Sequence, residues 1–116
     1  MNYKTFLLKT LWAALVALMV FSPLPGVQAE EGRLIIIEIR DFEFIVDENV
    51  TLRPGDTVVW INRDFAPHTA TAMDKSWDSG QLKKDESWQM VITSETLLDY
   101  FCRYHPAMKS ILPLKE

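Results

Sequence analysis

Cysteine occurs once in these 116 residues and histidine twice. A single thiol excludes an internal disulfide framework. In an oxidising compartment Cys102 must therefore be buried, paired with another chain, or occupied by a metal. Cationic excess is also missing, since 12 Lys and Arg stand against 16 Asp and Glu for a formal charge of −4. That balance argues against a nucleic-acid partner and is compatible with docking on basic or mixed surfaces. No internal repeat, low-complexity tract or composition break marks a second domain.

A long hydrophobic run is absent too. The apolar stretch from Leu11 to Phe21 is shorter than the roughly 18 residues needed to cross a bilayer. Lys4 and Lys9 precede it, Ser22-Pro23-Leu24-Pro25-Gly26 breaks any helix after it, and Val27-Gln28-Ala29 has the form of a signal-peptidase site. The segment reads as a secretory signal cleaved after Ala29, the alternative being an uncleaved membrane anchor. This divides the chain into a signal peptide, residues 1–29, and one small domain, residues 30–116. The signal carries lysines and no acid, so the mature domain is more acidic than the whole chain. It is also near the size at which a bound metal adds usefully to a modest core.

What is present is short-period apolar patterning. Arg33 to Arg40 places Ile35, Ile37 and Ile39 on one face. Phe42 to Val46 is a second apolar run, and Thr57 to Asn62 follows a Pro54-Gly55 turn as a strong strand. Ser87 to Thr93 directs Trp88, Met90 and Ile92 inward, with Leu97 to Cys102 and Ser110 to Leu114 completing the set. Met73 to Lys84 reads as a connecting loop. Period-two strands punctuated by turns predict an all-β sandwich.

The chemistry concentrates in Cys102-Arg103-Tyr104-His105-Pro106-Ala107-Met108, with Pro67-His68 upstream. One thiolate, two imidazoles and a thioether form the donor set of a blue-copper site, a trigonal plane of two histidines and a cysteine with a weak axial methionine. The predicted ligands of one type 1 copper are His68, Cys102, His105 and Met108. Met73, close after His68, is a competing axial donor. Cys102 ends a strand, His105 and Met108 lie on the loop returning into the last strand, and His68 comes from a separate connection. Pro106 stiffens the ligand loop by fixing its own φ and restricting His105. Ala66, Pro67 and Ala107, with Pro106, are candidates for a small uncharged docking patch around the edge of His105, where electrons would leave.

Arg53-Pro54-Gly55-Asp56-Thr57-Val58-Val59-Trp60-Ile61-Asn62, Pro67-His68 and Tyr100 to Met108 together resemble the plastocyanin/azurin (cupredoxin) family across nearly all of the mature chain. The two-residue gap between His105 and Met108 is most similar to the amicyanin branch. This resemblance implies a Greek-key β-sandwich, a periplasmic location and one-electron shuttling. It maps the family's ligands onto His68, Cys102, His105 and Met108. Amicyanins pass electrons from an amine dehydrogenase to a c-type cytochrome, which implies redox proteins as partners, with a dehydrogenase as donor and a c-type cytochrome or oxidase as acceptor. One departure stands out. The family commonly has Asn after the first histidine, bracing the cysteine loop, where this chain has Thr69. A single hydroxyl offers less than an amide's two-ended bracing, and such outer contacts tune a metal site.

The leading function is a soluble, monomeric type 1 copper electron carrier in the periplasm. The alternative is a copper chaperone or store that uses the same ligands without redox cycling. An enzyme is not expected. A Cys–His hydrolase lacks an orienting acid and an oxyanion motif, and a copper enzyme needs an open position or a second ion while both histidines are already committed.

Overall fold

The computed structural model describes Gly26 and residues 30–115, so the signal-peptide segment, Gly26 apart, lies outside the described residues. Seven strands follow in chain order: β1 (Leu34–Arg40), β2 (Glu43–Ile45), β3 (Thr57–Asn62), β4 (Thr71–Ala72), β5 (Ser87–Val91), β6 (Asp99–Phe101) and β7 (Lys109–Ile111). No helix occurs among the described residues. The strands form two sheets, one ordered β2-β1-β3-β5 and the other β4-β6-β7. From β3 to β6 the chain alternates between them, while β1–β2 and β6–β7 are consecutive strands paired within one sheet. This is the sandwich the patterning predicts.

Alternation explains which faces meet. In β1 the side chains of Ile35, Ile37 and Ile39 are buried while Leu34 and Ile36 face outward. The parallel partner β3 buries Val58, Trp60 and Asn62 in matching register. Ile92, Leu52, Leu82, Tyr100, Leu112, Cys102 and Met108 close the same core. Trp60 sits at its centre, with ring centroids 5.3 Å from Trp77, 5.5 Å from Trp88 and 5.8 Å from Tyr100. Trp77 lies on the loop expected between residues 73 and 84, yet its ring joins this cluster and its indole N–H donates to the Leu97 carbonyl at 3.0 Å.

Several strands are shorter than the apolar runs that mark them. Phe42 is not part of β2; it and Asp41 form the two-residue connection from β1, with φ of 61° and 53°. Leu97 and Leu98 precede β6, and Leu112 to Leu114 follow β7. At the opposite edge, Arg53-Pro54-Gly55-Asp56 makes a turn closed by the Asp56 N–H on the Arg53 carbonyl at 3.0 Å. Gly55 has φ of 98° there, the left-handed position after proline that a type II turn requires.

Asp56 ties that turn to the start of β1. Its buried carboxylate accepts from the Arg33 backbone N–H (3.0 Å), from Arg33 Nε (3.2 Å) and Nη2 (2.6 Å), and from the Arg53 N–H (2.8 Å). The Arg33 side-chain hydrogen bond leads this set, and together they outweigh burial, lowering the carboxyl from 3.8 to about 2. A depressed folded-state value contributes stability above the unfolded value that is lost as pH falls through the folded one. Screening on the half-exposed Arg33 side reduces the contribution to about 1–2 kcal/mol. Urea midpoints measured from pH 5 to pH 2 should fall through this window, and Asp56→Asn should lower the pH 5 value and flatten the decline.

Candidate metal centre

The spacing of the cysteine segment becomes two successive turns. Phe101 pairs with Lys109 at the end of the β6–β7 ladder. Beyond it the Cys102 N–H donates to the Met108 carbonyl at 3.0 Å and closes the loop at its neck. Within the loop the His105 N–H donates to the Cys102 carbonyl at 3.2 Å, and the Met108 N–H donates to the His105 carbonyl at 2.8 Å. Each donor residue therefore begins or ends a tight turn. Pro106 occupies the second position of the His105–Met108 turn, where its fixed φ suits the geometry. Cys102 is fully buried, Met108 is buried, and His105 is half-buried.

His68 reaches the same point from the β3–β4 connection. Its backbone exchanges hydrogen bonds with Leu82, N–H to carbonyl at 3.1 Å and the reverse at 2.8 Å. Asn62, at the end of β3, shapes the approach: its amide donates to the Ala66 and Leu82 carbonyls, both at 2.8 Å, and its oxygen accepts the Asp64 N–H at 2.9 Å. The result is a fully buried imidazole.

Cys102 Sγ lies 3.7 Å from His68 Nδ1 and 3.7 Å from His105 Nδ1. All three donor atoms fall within 4.8 Å of one another. Metal–sulfur and metal–nitrogen bonds of about 2.3 and 2.0 Å would span such separations at close to a trigonal angle. The soft-plus-imidazole donor set suits copper, and the cluster could hold one such ion. Met108 stands beside Cys102 in the same buried cluster. Met73 is brought elsewhere. It is half-exposed and its N–H donates to the Asp99 carbonyl at 3.0 Å, three residues and about 10 Å of strand away from Cys102.

Thr69 does more than its single hydroxyl suggests. Its backbone N–H points at Cys102 Sγ at 3.3 Å. Its buried Oγ1 accepts the Arg103 N–H at 2.9 Å and lies 3.0 Å from Thr71 Oγ1. The hydroxyl thus bridges the two loops through its one contact with Arg103, while its second contact, to Thr71, stays within its own segment. Of the patch residues, Pro67, Pro106 and Ala107 are exposed and Ala66 is half-buried.

Two residues at the centre carry no motif. Asp64 Oδ2 lies 2.8 Å from His68 Nε2. Burial works against its ionisation, but the Phe42 and Asp41 N–H groups and His68 outweigh it and hold the carboxyl below its ordinary value. Phe42 sets its ring edge-to-face against both imidazoles, with centroids 5.1 Å from His68 and 4.8 Å from His105. An acid four residues before a loop histidine was the only available signal for Asp64.

No family model matches the chain. Curated relatives do: it is 27% identical to amicyanin of Paracoccus denitrificans over 93 residues, covering 76% of this chain and 70% of that one. Amicyanin of Paracoccus versutus is 25% identical over 80 residues, covering 65% and 60% respectively. Among solved structures, a reduced-state proline variant of amicyanin superposes with a TM-score of 0.59 at 26% identity, over 71% of this chain and 82% of that one. An oxidised proline-to-glycine variant gives a TM-score of 0.60 at 23% identity, over 77% and 88%. The chain has the cupredoxin fold of these amicyanin structures and is similar to amicyanin in sequence. At one end of the sandwich the cysteine loop and the first-histidine loop converge.

The Thr69 bridge has a measurable weight. Thr69→Val keeps the shape and removes the hydroxyl, leaving the Arg103 N–H without its partner, and should destabilise the metal-free protein by about 1–2 kcal/mol. Denaturant titration of both proteins checks this.

Proposed function

We propose that this chain is a single-electron carrier that binds one type 1 copper through His68, Cys102 and His105, with Met108 as the weak fourth ligand. The carrying observation is the equal 3.7 Å approach of both histidine Nδ1 atoms to a buried Cys102 Sγ. Copper bound there would supply one-electron chemistry between its two oxidation states. The chain's own part is to hold the donors in place. Cys102 and His68 are shut away from water, their loops are braced through Thr69, and the loop neck is clamped at Cys102–Met108. Little then has to move when charge changes, which favours fast transfer.

His105 is the ligand nearest solvent, which makes its edge the electron exit. Around it Ala66, Pro67, Pro106 and Ala107 contribute an uncharged surface. Phe42, whose ring packs against His105, is half-exposed and adds apolar area beside it. Such a patch suits brief docking on redox proteins, a dehydrogenase as donor and a c-type cytochrome or oxidase as acceptor, by a monomer that is not itself an enzyme. Residues 1–29 act as the export signal for a periplasmic domain of residues 30–116. Mass spectrometry of protein recovered from the periplasm should give a chain beginning at Glu30.

The deciding experiment is titration of the mature domain with Cu(II), followed by visible absorption and EPR. An intense thiolate-to-copper band with narrow hyperfine splitting, saturating at one equivalent and absent in Cys102→Ser, is the expected result. A pale complex with wide splitting would move the reading to copper storage or delivery. Met108→Leu should keep the band and raise the reduction potential; an unchanged potential would remove Met108 from the ligand set.

A further inference from the structure

Asp64 donates no electron pair to the cluster, yet three hydrogen bonds converge on its carboxylate. Oδ1 accepts the Asp41 N–H at 2.8 Å, while Oδ2 accepts the Phe42 N–H at 3.0 Å and lies 2.8 Å from His68 Nε2. Its side chain is only 12% exposed. The two backbone donors belong to the connection between β1 and β2, where Arg40 pairs with Glu43 around a two-residue loop. Positive φ at both loop residues is the geometry of a type I′ hairpin turn, in which the second position strongly favours glycine. A phenylalanine stands there instead. Bulky residues enter the left-handed region only where surrounding contacts hold them. At this turn the Asp64 carboxylate gathers both N–H groups, and the ring that the turn presents rests edge-on against both imidazoles at interplanar angles of 87° and 86°.

The geometry points to Asp64 as the positioning residue of the centre: its carboxylate fixes His68 with the proton on Nε2, freeing Nδ1 toward Cys102 Sγ, and pins the Asp41–Phe42 turn so that Phe42 buttresses His68 and His105. The first half follows from hydrogen-bond capacity. An ionised carboxylate only accepts, so the ring nitrogen facing it must donate, and a neutral imidazole then presents a lone pair on the other nitrogen. Carboxylate contacts of this kind set the tautomer and bearing of metal-binding histidines. The second half follows from the turn, because the carboxylate that orients His68 also holds the phenyl ring that limits the tilt of both imidazoles. This assignment rests on the electron-carrier reading for its purpose, but it describes a state of the metal-free protein.

The test uses that independence. In the metal-free protein, long-range proton–nitrogen correlation spectra should show neutral His68 protonated on Nε2. The carbon-bound ring protons of His68 and His105 should carry ring-current shifts that Phe42→Leu removes. Asp64→Asn keeps the shape but turns one acceptor into a donor. It should mix or invert the His68 tautomer, weaken the ring-current shifts, and lower Cu(II) affinity 10- to 100-fold, with far-ultraviolet dichroism unchanged. A wild-type His68 carrying its proton on Nδ1 would overturn the proposal, as would an Asp64→Asn protein with unaltered tautomer and copper affinity within about twofold. Should Asp64→Asn not fold, the wild-type tautomer and the Phe42→Leu comparison still decide. Lack of a thiolate–copper band in the wild-type protein would instead strike the electron-carrier reading and leave the tautomer assignment to stand or fall on its own spectra.

Discussion

Closure of the loop from Cys102 to Met108 on the end of the β6–β7 ladder is the constraint from which the rest of the centre follows. The Cys102 N–H and Met108 carbonyl meet at 3.0 Å, so Cys102 and Met108 are fixed by the same backbone hydrogen bond. The two turns inside the neck leave His105 one orientation of its backbone, halfway along the loop. Everything else is arranged to meet this rigid hairpin. His68 is delivered by its bridge to Leu82, Thr69 ties that delivery to Arg103, and Asn62 holds the intervening chain in shape. The contacts that bring His68, Cys102 and His105 together are thus made by the protein itself.

Much of this was legible in the chain. The β-branched alternation of β1 located its buried face, and the strand Thr57–Asn62 coincides with its apolar run because Pro54-Gly55 starts it sharply and polar residues end it. The three-residue steps from Cys102 to His105 to Met108 were readable as a tight loop because one turn spans each step. Less legible were features that local pattern does not carry. β4 is two residues long, too short for any period to register. Trp77 lies in a polar stretch and becomes a core residue only through the approach of Trp60 and Tyr100. The contacts of Thr69 with Thr71 and Arg103 depend on how two loops meet and leave no trace in local pattern. Asp64 and Phe42 meet across a separation of 22 residues, and a turn with aspartate and phenylalanine at positive φ breaks the local rule that would have announced it. Such breaks concentrate where a site imposes its own demands.

The same molecule thus shows two kinds of order. Its core is locally consistent: Ile35, Ile37, Ile39, Val58 and Trp60 are where propensity and alternation place them, and Asp56 fastens the edge with an ion pair. At the other end consistency yields to geometry, with a strained turn, a buried histidine beside a carboxylate and a sulfur that receives a backbone N–H. The stable end supplies the free energy that the demanding end spends.

Preorganisation is the central claim, and paired crystal structures of the mature domain, metal-free and copper-loaded, test it most directly. The account predicts that Cys102 Sγ and the Nδ1 atoms of His68 and His105 move by no more than a few tenths of an ångström between the two, with the Cys102–Met108 hydrogen bond intact in both. A ligand loop that refolds on loading, or copper bound away from Cys102, would contradict it.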